Sequence, residues 1–155
     1  MQFSSAIISA ITVALASAAA IEKRENVFDV SDFSAGCIPH STQCLYSFTV
    51  IQSGSIETPA TGVKCNALVS ANTDGTLPDI PQWGGSCINS SRRFWFTRED
   101  AGLNFFVSQQ VSPASNQTAS HLLPNSELVT VANSIGSTQS YNGPTSFGLD
   151  YSTSA

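Results

Sequence analysis

Residues 44–50, Cys-Leu-Tyr-Ser-Phe-Thr-Val, decide the fold. Cys44, Tyr46, Phe48 and Val50 share one parity, and Ser47 and Thr49 fall between them. A period of two belongs to an extended strand with one face on a core. The pattern returns on either side. Val63, Cys65, Ala67 and Val69 repeat it. Phe94 and Phe96 alternate with Trp95 and Thr97, and Leu103, Phe105, Val107, Gln109 and Val111 make a longer strand. Leu128, Thr130 and Ala132 oppose Val129 and Val131, and Phe147, Leu149 and Tyr151 form a last short strand. Val27 to Phe33 is the first. Its apolar parity shifts between Val30 and Phe33, which predicts a bulge or the strand's end near Asp32.

The breaks carry turn chemistry. Asn72-Thr-Asp74-Gly75 is a turn, and Arg98-Glu-Asp100-Ala-Gly102 is a hairpin tip between apolar strands. Pro78, Pro81 and Gly84-Gly85 predict a loop that no strand crosses, and Ser112-Pro113-Ala-Ser-Asn116 another. Residues 134–144, rich in Ser, Gly and Asn, are expected to be mobile. No segment after residue 24 sustains the i, i+3, i+4, i+7 helical pattern. Seven or eight short strands at this spacing predict one all-β domain, a compact antiparallel β-sandwich or barrel.

Cys37, Cys44, Cys65 and Cys87 form an even set. Three pairings are open to four cysteines. Cys37–Cys44, a short loop stiffened by Pro39, with Cys65–Cys87 is the favoured one. Disulfides need an oxidising compartment, and the N-terminus supplies the route. The apolar stretch 6–16 is too short to span a bilayer and right for a secretory signal ending in Ala16-Ser17-Ala18-Ala19-Ala20. Cleavage is expected after Ala18 or Ala20. Residues 1–20 are then the signal peptide. Residues 21–24 form a short pro-segment ending in the dibasic site Lys23-Arg24, and residues 25–155 are the working domain.

That domain is acidic. The whole chain has a formal charge of −5, and loss of residues 1–24 leaves −6 with four basic residues, Lys64, Arg92, Arg93 and Arg98. So few cations make no nucleic-acid footprint and no anchor for an anionic membrane. No later run is long enough for a transmembrane helix, and the C-terminus lacks the tail of a lipid-anchor signal. The domain is expected to be soluble and secreted, with no nucleic-acid or membrane partner.

No catalytic cluster stands out. Glu99 and Asp100 are adjacent, so on a strand they would face opposite ways. Glu57, Asp74, Asp79 and Glu127 fall in turns or at strand edges. There is no G-x-S-x-G elbow, and His40 and His121 lack a recognisable partner. The cysteines, separated by six, twenty and twenty-one residues, do not have the paired spacing of a zinc site. No metal and no cofactor is expected. His40 reads as a turn residue and His121 as a partly buried histidine satisfied by its surroundings.

Two N-glycosylation sequons, Asn89-Ser-Ser91 and Asn116-Gln-Thr118, lie beside predicted loops. Arg92-Arg93-Phe94-Trp95-Phe96 is the densest basic and aromatic patch. Phe94 and Phe96 are expected in the core. Arg93 and Trp95 are expected outside, as a solvated face or as a stacking platform for a sugar ring. Trp83, in the Pro/Gly loop, is either a plug or an exposed contact residue.

The segment FDVSDFSAGCIPHSTQCLYSFTV (28–50) resembles the opening of fungal secreted proteins that induce a hypersensitive response, within the AA1-like family named after the major Alternaria allergen. GGSCINSSRRFWFTREDAGLNFFVSQQVS (84–112) and the leader ending in Lys23-Arg24 are similar to that family too, and the resemblance covers about residues 28–123. It implies a disulfide-bonded β-sandwich or barrel with an apoplastic role. Members provoke plant cell death or defence, bind plant proteins, or, among the allergen relatives, bind small ligands or antibodies. No catalytic residues come with it. The allergen's extra cysteine links a dimer. The even set here leaves none spare, so a monomer or a non-covalent oligomer is expected.

Together these readings predict a secreted, non-enzymatic effector or elicitor that meets a host extracellular protein or glycan. The alternative is a carbohydrate-binding or wall-associated module using Trp83 and Trp95.

Overall fold

The computed structural model describes residues 25–153. The leader and the Lys23-Arg24 site lie outside the described residues. Ten strands follow one another: β1 (Asn26–Cys37), β2 (Gln43–Gln52), β3 (Val63–Ser70), β4 (Ile80–Cys87), β5 (Arg93–Glu99), β6 (Gly102–Ser112), β7 (Ser115–Pro124), β8 (Leu128–Asn133), β9 (Gly136–Tyr141) and β10 (Phe147–Tyr151). All pairings are antiparallel. Strands β1 to β7 run in sequence order, and β10 pairs with both β7 and β1, which closes an eight-stranded barrel. The β8–β9 hairpin hangs from β1 outside that ring through Gly36↔Ser140.

Alternation fills the barrel. Phe28 and Val30 face inward, then the register with β2 shifts between Ser31 and Ser34. Asp32 takes a φ of 53° there, so that Phe33, Ala35 and Cys37 stay inward after the bulge. Phe33 reaches the centre, 5.9 Å from the Phe48 ring, 5.6 Å from Phe105 and 4.9 Å from Tyr141. Tyr46 stacks on Phe96 at 4.2 Å, and Phe96 on Phe105 at 4.6 Å. These rings occupy the space that a wider barrel would leave to a ligand.

The bridges are Cys37–Cys44 and Cys65–Cys87. The second ties β3 to β4, whose ladder has only two partner pairs, Cys65↔Cys87 and Asn66↔Ser86.

Three strands depart from the sequence reading. The Pro/Gly stretch is a strand: β4 runs through Pro81 and Gly84-Gly85. It tolerates them because it is irregular, with a register shift between Ile80 and Gly85 and a φ of 65° at Trp83. Gly85 also lets the Phe94 ring come within 2.6 Å of where a Cβ would stand. Residues 115–124, given to no strand above, form β7. Residues 134–144, also given to no strand above, contain β9, which buries Gln139.

Candidate binding surfaces

The inward row of β5 extends beyond its two phenylalanines. Arg92, Phe94, Phe96 and Arg98 share one parity, so each end of the row is an arginine. Arg92 is 3% exposed. Its Nη2 donates to both oxygens of Glu57 at 3.0 and 3.1 Å, Nη1 to the Val50 carbonyl at 3.0 Å, and Nε to Gln109 Oε1 at 3.1 Å. Its guanidinium lies 5.8 Å from the Phe28 ring centre. This cation is fully engaged inside the protein, so it is removed from the basic patch that the sequence pointed to. Arg98 is half-buried at the other end. Its Nη2 donates to the Leu77 carbonyl and to Gln139 Oε1, both at 2.9 Å, and its backbone N–H donates to Asp79. Nearby, the Tyr46 hydroxyl donates to the Pro78 carbonyl at 2.7 Å, and burial pushes that phenol far above its usual range.

On the outer face of β5 the expectation for Trp95 fails. Its side chain has the outward parity, yet it is 2% exposed. Phe106 of β6 stacks on it at 5.2 Å, and Trp83 of β4 covers it at 4.8 Å. The left-handed backbone at Trp83 swings that indole over its neighbour. Trp95 therefore offers no ring to a sugar. Trp83 is 39% exposed, and Arg93, two residues before Trp95 on β5, is exposed as well.

A second surface was not anticipated. The Asn72–Gly75 turn, residues 41–42 and the β8–β9 tip surround an open cleft of about 590 Å³. Ser41, Thr42, Asn72, Thr73, Asp74, Ser137 and Thr138 bring hydroxyls, amides and one carboxylate to its lining, beside the apolar Cys37, Ala71 and Ile135. Thr76 donates to Asp74 Oδ1 from both its hydroxyl and its N–H, which lowers that carboxyl's pKa below the ordinary value. Gly75, at a φ of 78°, presses so close to the Ser137 backbone that no side chain fits. The signal in sequence was the turn itself. Its pairing with a strand more than 60 residues later was not visible.

The other candidates are dispersed. Asn89 is exposed in the turn after β4 with a φ of 51°, and Asn116 is exposed at the start of β7 opposite Gln110. Thr118 of the second sequon is buried and donates to Ser108 Oγ at 3.0 Å. His40 is an exposed turn residue at a φ of 61°. His121 is half-buried and stacks on Phe147 at 4.3 Å. Burial lowers its pKa, against the opposing charges of Glu127 and Asp150. Glu99 accepts from Asn104 at the β5–β6 hairpin and Asp79 from Arg98. Among the described residues, no three His, Cys, Asp or Glu side chains are grouped to hold a metal ion.

No family model matches the chain, and no curated protein matches it. Two solved structures of the Alternaria alternata major allergen Alt a 1 are similar to it. One is 17% identical with a TM-score of 0.49, covering 81% of this chain and 91% of the allergen. The other is 16% identical with a TM-score of 0.46, covering 86% and 95%. They and the resemblance read in residues 28–123 name the same allergen. Likeness at this level carries no argument about ligands, residues or activity.

Proposed function

We propose that the chain is a secreted recognition protein without catalytic activity, acting outside a fungal cell as an effector or elicitor towards a plant. The observation that carries this reading is the filled interior. Aromatic rings take up the barrel's centre, so whatever the protein meets, it meets on loops and outer strand faces. Two disulfides support export to an oxidising space. The partner is a host extracellular protein held against the outer surface. Purified protein infiltrated into leaves is expected to cause cell death or a defence response, and to retain a host protein from apoplastic fluid. No response and no retained protein would reject the reading. Turnover of any offered ester, glycan or peptide would reject its non-catalytic part.

The cleft beside Asn72–Gly75 favours a second reading, a carbohydrate-binding module. Its hydroxyl and amide lining is the chemistry that pairs with neutral sugar hydroxyls. Binding on a glycan array that is lost in Asp74→Ala and kept in Trp95→Phe would select it. The same array with no binder would remove it.

A further inference from the structure

Strand β8 ends the sheet. It pairs with β9 residue by residue, from Leu128↔Tyr141 to Asn133↔Gly136. Among the described residues no strand lies on its other side. The pairing determines which of its amides are spent. Gln139 gives its N–H to the Gly75 carbonyl at 3.0 Å, away from β8. Thr130↔Gln139 is therefore a pair that exchanges no backbone bonds, and such pairs alternate along an antiparallel ladder. Val129 and Val131 are bonded to β9, whereas Thr130 and Ala132 aim N–H and C=O at the open side. Leu128 aims its carbonyl there too, its N–H being taken by the Asn125 carbonyl. Edges are normally protected by charge, proline, a bulge or a cover. Leu-Val-Thr-Val-Ala-Asn has no charge, no proline and no register shift. Val129, Val131 and Ile135 beyond it are 38%, 56% and 70% exposed.

We infer that β8 is a dimerisation edge, on which a second copy of this chain lays its own β8 antiparallel about a two-fold axis at Thr130. Two observations select a second copy. The first is self-complementarity. In this register Thr130 N–H donates to the Thr130 carbonyl of the mate, and Ala132 N–H to the mate's Leu128 carbonyl, each bond occurring twice by symmetry. Val129 then faces Val131 of the other copy in a non-bonded pair, where side chains approach most closely. The second is charge. The chain is acidic, yet from Leu128 to Leu149 it carries no charged residue. Two negative bodies meet where neither holds charge, and the isologous contact closes at two.

Sedimentation velocity on the purified protein from about 1 µM to about 1 mM is expected to show a reversible monomer–dimer equilibrium. Thr130→Pro deletes an open-side N–H and no backbone bond to β9, although it also removes the 3.4 Å bond from Gln139 Nε2 to Thr130 Oγ1. Val131→Lys places a cation opposite the second copy's Val129. Each is expected to weaken association at least about tenfold, with an unchanged circular dichroism spectrum. Val111→Lys, on an exposed residue of β6, is expected to leave it alone. A monomer at every concentration overturns the inference, as does a dimer unaffected by Val131→Lys or equally weakened by Val111→Lys. Should Thr130→Pro lose the native spectrum, Val131→Lys decides alone.

Discussion

The two ends of the β5 inward row are closed by the same residue type in different ways. At one end Arg92 is buried and meets a carboxylate, Glu57, 35 residues earlier in the chain. At the other, Arg98 is half-buried and meets neutral acceptors, the Leu77 carbonyl and the Gln139 amide. The first end holds a charge pair whose members need each other. The second is a hydrogen-bond network in which Gln139 serves several donors at once, since its Oε1 also accepts from the Leu77 N–H at 3.1 Å. Burial depth separates the two: a guanidinium cut off from water needs a counter-charge, and one that still touches water does not.

Cutting the charged end should cost most. Glu57→Ala leaves Arg92 buried without its partner, and a loss of about 3 kcal/mol is expected in urea unfolding. Replacing both, Arg92→Met with Glu57→Leu, should recover most of that loss, because no orphaned charge remains. If the single and double variants fall equally, the pair is not what holds this end. Gln139→Ala comes next, at about 2 kcal/mol, because the buried Leu77 N–H loses its acceptor. Arg98→Ala should cost only about 1 kcal/mol, since each acceptor it frees keeps another donor, Asn72 Nδ2 on the Leu77 carbonyl and the Leu77 N–H on Gln139 Oε1. Equal losses for Arg98→Ala and Glu57→Ala would erase the contrast between the ends.

The smallest effect is expected from acid. Burial holds His121 below its ordinary 6.5, so the folded state prefers the neutral ring. Above about pH 6.5 both states are neutral and this contribution is whole. As pH falls through that value the unfolded chain binds the proton first, and stability drops until the folded ring is protonated as well. His121→Phe should flatten that segment of the stability–pH curve while leaving the Glu57→Ala difference at neutral pH unchanged.

Where bulky apolar residues alternate, the fold was legible in the sequence. That holds for β1, β2, β3, β5, β6 and β10, and even for the bulge at Asp32, because a parity shift is a direct imprint of it. Strand β7 was missed because its inward positions are Ala119, His121 and Leu123, a small, a polar and a large residue, while Leu122 faces outward. Strand β9 was missed because its buried residue is a glutamine whose Oε1 is satisfied by Leu77 and Arg98, over 40 positions away, and Tyr141 is its one large apolar side chain. Strand β4 was missed because proline and glycine argue against strands in general, and only its neighbour Phe94 explains Gly85. At the surface, the parity of Trp95 was read correctly and its burial was not, since the cover is an indole from another strand. Arg92 and Arg98 had the parity of Phe94 and Phe96 all along. The alternation read in the sequence stopped at the two phenylalanines and placed neither arginine in the row.

The buried hydroxyl of Thr118 sets an order of events. A sequon is defined by its asparagine and by the hydroxyl two residues on, and here the finished β6–β7 ribbon has already bonded that hydroxyl to Ser108. Any sugar on Asn116 must be added while the ribbon is still open, in a race between the transferase and the closing hairpin. Asn89, whose Ser91 is exposed, runs no such race, so if the proposed export exposes both sites to the transferase, their relative occupancy would keep a record of how fast the β6–β7 hairpin zips.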